Sequence, residues 1–325
     1  MIPRFLFLLA LATALAGCGD RNIEEGAESS DPSVATAESP DVATRTRPSV
    51  EEAAAGTYYG ILDQPIMLVG GLYEGPPFVE DGASRPRVEL IRDFELSGDL
   101  NGDGLEETIV LLAESSGGSG TFGHLAVLAR QDGRATNIGT APLGDRVQIR
   151  DRVVDGDTIV LDVVQAGPED AACCPSQLVT RRWTLGPEGL NEGAAEIRGA
   201  LSLAVLEDVE WRLVSLNGDV DAPEEPAITL IFYGDKVGGA SGCNRYMGAS
   251  TTGQAPGELS FGPLAGTMMA CSEDVMDLEQ QFLNLMGQVT RFSFHLGKLE
   301  LTSVDEAGNV HVLLFESHPI PAGNG

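Results

Sequence analysis

A single segment of this chain carries a helical period, and almost everything else ordered is written in strand language. From Ser272 the apolar positions Val275, Leu278, Phe282, Leu285, Met286 and Val289 recur at three- and four-residue spacing, with Glu279 on the same stripe. Ser272 suits an N-cap, Glu273 and Asp274 sit where the helix dipole favours acid, and Gly287 marks the stop. Elsewhere short β-branched or alternating runs are separated by Gly, Asp and Pro turns. The expected fold class is therefore mainly β with one α-helix in the C-terminal domain (α+β), in two β-rich domains.

The strand-like runs fall into two groups. The first spans residues 57–190 and contains Val88–Leu96, Thr108–Ala113, His124–Ala129, Thr158–Val164 and Leu178–Leu185. The second spans residues 206–317, with strands expected at Trp211–Leu216, Ile228–Tyr233, Lys236–Ser241, Leu259–Phe261, Arg291–Leu296, Lys298–Ser303 and His311–Glu316. Residues 186–205 read as a linker or short helix. With 325 residues, two domains plus linkers are the expected count. An apolar fraction of 42% suffices for real cores.

The N-terminus has its own grammar. Arg4 precedes an apolar run, Phe5 to Ala12, too short to cross a bilayer, and Leu15-Ala16-Gly17-Cys18 follows. This layout resembles a bacterial lipoprotein signal peptide over residues 1–17. The resemblance implies covalent lipid on Cys18, the first residue after cleavage, and hence a membrane partner through that anchor. Gly19 rather than Asp follows Cys18, which in such proteins points to the outer membrane, facing the periplasm. Residues 18–56 hold no aromatic side chain and are rich in Glu, Asp, Ser, Thr and Pro. Such a stretch buries too little apolar surface to order itself, and is expected to be a disordered linker with a reach of roughly 35 Å.

Charge narrows the partners. Against 20 Lys and Arg stand 49 Asp and Glu, a net charge of −29. Cleavage after residue 17 would remove Arg4 and leave −30. Phosphate binding needs clustered cations, so nucleic acid is excluded as a partner. A basic protein partner fits, as does a solvated acidic surface.

The sharpest chemical motif is Asp99-Leu-Asn101-Gly-Asp103-Gly104-Leu105-Glu-Glu107. Oxygen side chains fall at positions 1, 3, 5 and 9, and the Leu105 carbonyl serves position 7, the kind of cage that Ca2+ prefers. The pattern resembles the start of an EF-hand loop, but position 12 is Val110 and strands rather than helices flank it. It is closer to the β-hairpin calcium loops of integrin-type FG-GAP repeats. A plain Asx/Gly hairpin turn is the competing reading.

The second domain resembles the META domain, the family that includes the HslJ-like heat-shock proteins. The resemblance is carried by Trp211, by GGASGCNRYMG at Gly238–Gly248, by LSFGPLAGTMMAC at Leu259–Cys271, by Glu279 and Phe282, and by the closing strand around Leu313–Phe315. It implies a compact β-rich fold with one packed helix, an envelope setting, a stress-tolerance role and no established catalysis. Where the family has Arg or Lys before Met-Ala-Cys, this chain has Met268. In the motif, Asn244, Arg245 and Tyr246 are candidate partner-binding residues, and Tyr246 is expected to bury its ring and expose its hydroxyl.

Cys18 aside, four cysteines remain, which admit three pairings. The family positions imply a disulfide between Cys243 and Cys271, with two buried thiols as the alternative. Cys173 and Cys174 are adjacent, and a vicinal disulfide, two thiols or a soft-metal site all suit them.

No P-loop, dinucleotide fingerprint or zinc spacing is present, and Gly117-Gly118-Ser119-Gly120-Thr121 misses the Gly-x-Ser-x-Gly elbow. The expected function is thus a lipid-anchored periplasmic protein, not an enzyme, with a binding or envelope-stress role. Two rivals stand beside it: inhibition of a cationic hydrolase such as lysozyme, and hydrolysis by Cys243 or Ser119.

Overall fold

A computed structural model describes residues 46–320 apart from 119, 172, 173 and 219. Expectations for residues 1–45, Cys18 included, and for Ser119 and Cys173 lie outside the described residues.

The described chain begins with a short helix, α1 (Val50–Ala53), and three short strands, β1 (Thr57–Tyr58), β2 (Ile66–Met67) and β3 (Leu72–Glu74). Four long strands follow: β4 (Arg87–Gly98), β5 (Glu107–Ser115), β6 (Phe122–Gln131) and β7 (Arg134–Asp145). With β3 they make an antiparallel sheet ordered β3-β4-β5-β6-β7. A second sheet holds β8 (Gln148–Asp155), β9 (Thr158–Gln165), β10 (Gln177–Gly186), β11 (Gly189–Glu192) and β12 (Glu196–Ala200).

Residues Glu107–Leu112 of β5 are all buried, which alternation alone does not predict. The cause is a sheet covered on both faces. Ile109 and Leu111 point to a core shared with the second sheet, with Ile149, Leu161 and Trp183. Val110 and Leu112 point the other way, to Ala53, Tyr58, Ile66 and Leu68. The cover on that second face is the N-terminal segment.

That cover corrects the expected linker over 18–56. Ser49 and Glu52 form a capping box on α1, each bonding the other's backbone N–H. Pro48 is buried, and its carbonyl accepts from the Thr108 hydroxyl at 2.5 Å. Arg130 of β6 grips Glu52 with both guanidinium Nη atoms, at 2.5 and 2.8 Å. Ala53 and Ala54 supply the burial that the polar composition conceals. The linker reading therefore fails for residues 46–56. The reading of 186–205 as a linker or short helix is corrected too: β11 and β12 both pair with β10, and only Leu203–Leu206 form a helical turn, of 3-10 type. The polar, Pro-bearing β7 was not foreseen either; it is an edge strand held to β6 with two register shifts.

The C-terminal body contains β13 (Val209–Leu216), β14 (Val220–Asp221), β15 (Thr229–Tyr233), β16 (Lys236–Ala240), β17 (Arg245–Thr252), β18 (Leu259–Phe261) and β19 (Ala265–Gly266), then α2 (Glu273–Met286), then β20 (Val289–His295), β21 (Lys298–Val304) and β22 (Val310–Pro319). The sheet runs β18-β17-β16-β15-β13-β22-β21-β20, with β14 beside β13 and β19 beside β17. Its ends approach each other: Glu258 bridges Arg291, and the Phe292 N–H donates to the Gly257 carbonyl at 2.8 Å. The result is barrel-like. Phe282, Leu285 and Met286 of α2 join Trp211, Leu230, Phe232, Phe292, Leu301 and Phe315 in its core. The mainly β fold, with one substantial helix among the described residues, is as expected. Ser272 does occupy the N-cap, but its side chain makes no capping bond.

The two bodies share side chains. Val164 and Leu178 belong to the C-terminal core, and Leu296 to the N-terminal one. The Phe294 N–H donates to Gln148 Oε1 at 3.0 Å, the Gly297 N–H to the Ile149 carbonyl at 2.9 Å, and Arg152 Nη1 to the Leu296 carbonyl at 2.6 Å.

Candidate functional site

The motif Gly242-Cys243-Asn244-Arg245-Tyr246 lies between β16 and β17, at a turn that faces α2. Gly242 has φ +100°, in the region that side chains resist, and Val275 of α2 lies 3.6 Å from where its Cβ would stand. Ser241 closes the turn: its N–H donates to the Asn244 carbonyl at 2.7 Å, and its hydroxyl oxygen lies 2.9 Å from the same carbonyl.

Asn244 ties three segments together. Its backbone N–H donates to Glu279 Oε1 and its Nδ2 to Glu279 Oε2, each at 2.9 Å. Its Oδ1 accepts from the Thr267 hydroxyl at 2.8 Å and from the Met269 N–H at 2.7 Å. Glu279 also accepts from the Ser241 hydroxyl. Burial pushes the Glu279 carboxyl up, and the bonds from Ser241 and Asn244 outweigh it, leaving the group below the ordinary carboxylate value. Cys243 and Cys271 are joined in a disulfide across 28 residues, with Cα atoms 5.9 Å apart. It fastens the same 267–271 loop covalently. That pairing closes the two-thiol alternative and removes Cys243 as a free thiol nucleophile.

Tyr246 departs from expectation. The residue is buried, its ring meets Phe282 edge-on at 5.6 Å, and its hydroxyl donates to the Thr229 carbonyl at 2.8 Å. Burial drives its pKa up. Its hydroxyl is therefore not offered to a partner. Gly239 explains the reach: a Cβ there would stand 2.0 Å from the Thr229 oxygen, so β16 lies against β15 more closely than any side chain allows. Of the three candidate partner-binding residues, Asn244 and Tyr246 turn inward, and only Arg245 is exposed.

Arg245 opens onto a groove that the sequence reading missed. The outward residues of β15, β16 and β17 line a groove of about 610 Å³ that includes Ile231, Tyr233, Lys236, Gly238 and Met247. Register places Gly238 between Ile231 and Met247. Tyr233 and Met247 are 58% and 68% exposed, unusual for large apolar groups on a sheet face. The signal was present in the alternation of Arg245 to Ser250, a stretch for which no strand was expected. Met268, at the place where a basic residue was expected, is 98% exposed.

The acidic loop stands apart, between β4 and β5. Asp99 accepts from the Gly102 and Gly104 N–H groups at 2.7 and 3.0 Å, Asn101 Oδ1 from Asp103, and Asp103 from Leu105. The two oxygens of Glu107 accept from the Leu100 N–H and from Asn101 Nδ2, both at 2.8 Å. Burial, and then the nearby Asp103 and Asp99 charges, push the Glu107 carboxyl up, against the Leu100 and Asn101 bonds. Asp99, Asn101, Asp103 and Glu107 thus meet on one hairpin, with their oxygens turned onto the hairpin's own donors. Among the described residues no group of three or more His, Cys, Asp or Glu has the arrangement to hold a metal ion.

Cys174 is disulfide-bonded. His124 Nε2 lies 3.2 Å from Glu114, and His311 Nε2 3.4 Å from Asp305. Among the described residues, no hydroxyl or thiol is hydrogen-bonded to either ring. No helix among them is long and apolar enough to cross a membrane.

Residues 204–318 match the META domain family. Three solved chains resemble this one. One is an NMR structure of a protein from Burkholderia xenovorans, 26% identical, covering 39% of this chain and 96% of its own, with a TM-score of 0.29. Another NMR structure is 20% identical, covers 36% of this chain and 94% of its own, and has a TM-score of 0.29. Scores of this size carry no argument about fold. No curated protein matches the chain.

Proposed function

We propose that this protein is a lipid-anchored envelope protein whose META domain works by binding rather than by catalysis. One observation carries the binding half. The polar atoms of Ser241, Asn244, Glu279 and Tyr246 are engaged with one another and with backbone, so the motif builds a rigid frame. What it leaves outside is Arg245, at the rim of an open apolar groove. Catalysis needs a nucleophile beside an oriented base. Cys243 is in a disulfide, and neither His124 nor His311 has a nucleophile attached among the described residues.

The anchoring half rests on Leu15-Ala16-Gly17-Cys18, and its consequence is a periplasmic, outer-membrane location. Growth with an alkyne-tagged palmitate tests it. The wild-type chain takes up label and sediments with outer membranes, while Cys18→Ala does neither. An unlabelled wild-type chain in the soluble fraction overturns the anchor.

A second reading keeps the anchor and changes the target. A groove of about 480 Å³ is lined by Asp221, Glu224, Glu225 and Glu316, with Arg212 and His318. With the net charge of −29 it suits a basic protein such as a cationic hydrolase. Inhibition of lysozyme at low salt that vanishes in a Glu224→Gln/Glu225→Gln variant would favour it.

A further inference from the structure

Cations are scarce, and about half of those among the described residues are ion-paired. Arg47, Arg87, Arg130, Arg146, Arg181, Arg182, Arg198, Arg212 and Lys298 all lie within 4 Å of a carboxylate. Arg245 is exposed, and no carboxylate is within ion-pairing distance of its guanidinium among the described residues. It stands at one end of the β15–β17 groove, opposite Ala240 in register. At the other end Lys236 pairs in register with Tyr233 and Ala249. Asp235, next to Lys236 in the chain, lines that end too, whereas no Asp or Glu lines the Arg245 end. Along the groove, Arg245 is the cation with no carboxylate at its end.

Between the two ends the floor is apolar. Gly238 carries no side chain, so Ile231 and Met247 flank a trough rather than a ridge. From Ala240 to Lys236 the trough runs four strand residues, about 13 Å, room for an extended acyl tail of about ten to twelve carbons. An apolar trough with one unpaired guanidinium at its end is complementary to a ligand with an apolar body and one anionic head.

We propose that the groove on the outer face of β15, β16 and β17 binds a medium-chain fatty acid, its carboxylate on Arg245 and its tail over Gly238, Ile231 and Met247 towards Tyr233. The proposal rests on reading the META domain as a binder; it is independent of the anchor at Cys18. Methionine suits such a trough because its unbranched side chain adapts to a flexible tail. A carboxylate takes two parallel N–H bonds from one guanidinium, which a lysine does not offer. The two cations are therefore not equivalent, and Arg245 should dominate.

Photo-crosslinking of the full chain in zwitterionic phosphatidylcholine nanodiscs, with a diazirine-bearing dodecanoate, tests this. Peptide mass spectrometry should place the label between residues 231 and 249. Excess dodecanoate should compete it away, and methyl dodecanoate should not. Arg245→Gln should weaken labelling by about tenfold and Lys236→Gln by less. Ala249→Trp, on an exposed outward position, should block the tail end and abolish labelling without altering the circular dichroism spectrum. Label scattered over the chain, or groove label indifferent to both Arg245→Gln and esterification, overturns the proposal. So does preferential capture by anionic vesicles with no effect of Ala249→Trp. A failed palmitate-labelling experiment at Cys18 would leave these outcomes unchanged, so the two readings fail separately.

Discussion

Glu279 holds Asn244 by two atoms at once: one carboxylate oxygen accepts the backbone N–H and the other accepts Nδ2, both at 2.9 Å. A side chain of the one long helix among the described residues thereby sets the turn between β16 and β17, and with it the direction in which Arg245 leaves the sheet.

Removing that carboxylate should be costly. Glu279→Ala strands the Asn244 and Ser241 donors in a buried place and is expected to lower stability by about 3 kcal/mol, read by urea denaturation. Glu279→Gln keeps one acceptor oxygen and should lose less. The carboxyl lies below its ordinary value in the folded chain, so its contribution is full above the unfolded-state pKa and falls as pH drops through the folded one. The stability difference between wild type and Glu279→Gln should therefore shrink on acidification. A difference that does not change with pH would refute the ionised clasp.

The Cys243–Cys271 bond fastens the 267–271 loop that Asn244 also holds. Its 28-residue loop is worth about 3–4 kcal/mol in the chain-entropy account. Cys243→Ser/Cys271→Ser should unfold at correspondingly lower denaturant. Because both fastenings act on one loop, the loss in the triple variant with Glu279→Gln should differ from the sum of the separate losses. Strict additivity would show that the two act independently.

Limited proteolysis reads the N-terminal boundary. The Arg130–Glu52 grip and the burial of Pro48 predict that residues 48–56 resist cleavage in the folded chain. Arg130→Ala should expose new sites within residues 46–56. Glu52 lies below the ordinary carboxylate value, first because of the Arg130 hydrogen bond and then through the bonds from Ser49, and the shift should shrink in that variant. Cleavage of the wild type within 46–56 at the same rate would restore the disordered linker.

The acidic hairpin separates two readings of one motif. With Glu107 bonded to Leu100 and Asn101, Glu107→Ala should destabilise the hairpin by about 2 kcal/mol whether or not calcium is present. The donors seated on Asp99 and Glu107 compete with a cation for those oxygens, so the melting temperature is expected to stay constant up to millimolar calcium. A saturable rise, abolished by Asp99→Asn, would establish the calcium cage instead.

The periodicities of local sequence were enough to place α2, with its stop at Gly287, and most of the strands, because a half-buried element writes its own exposure into residue order. The family motif was legible for the same reason, and with it the implied Cys243–Cys271 pair. Three things were not legible. Residues 46–56 look polar, but a few small side chains complete a core whose other wall is β5, more than fifty residues away. Tyr246 looked like a surface handle until the Thr229 carbonyl, brought close by Gly239, took its hydroxyl. The groove at Arg245 exists only where three strands lie side by side. Sequence alone determined which segments bury a face, since that depends on neighbours along the chain; tertiary structure decided which polar atoms remain free, since a hydrogen-bond partner is a matter of distance in space.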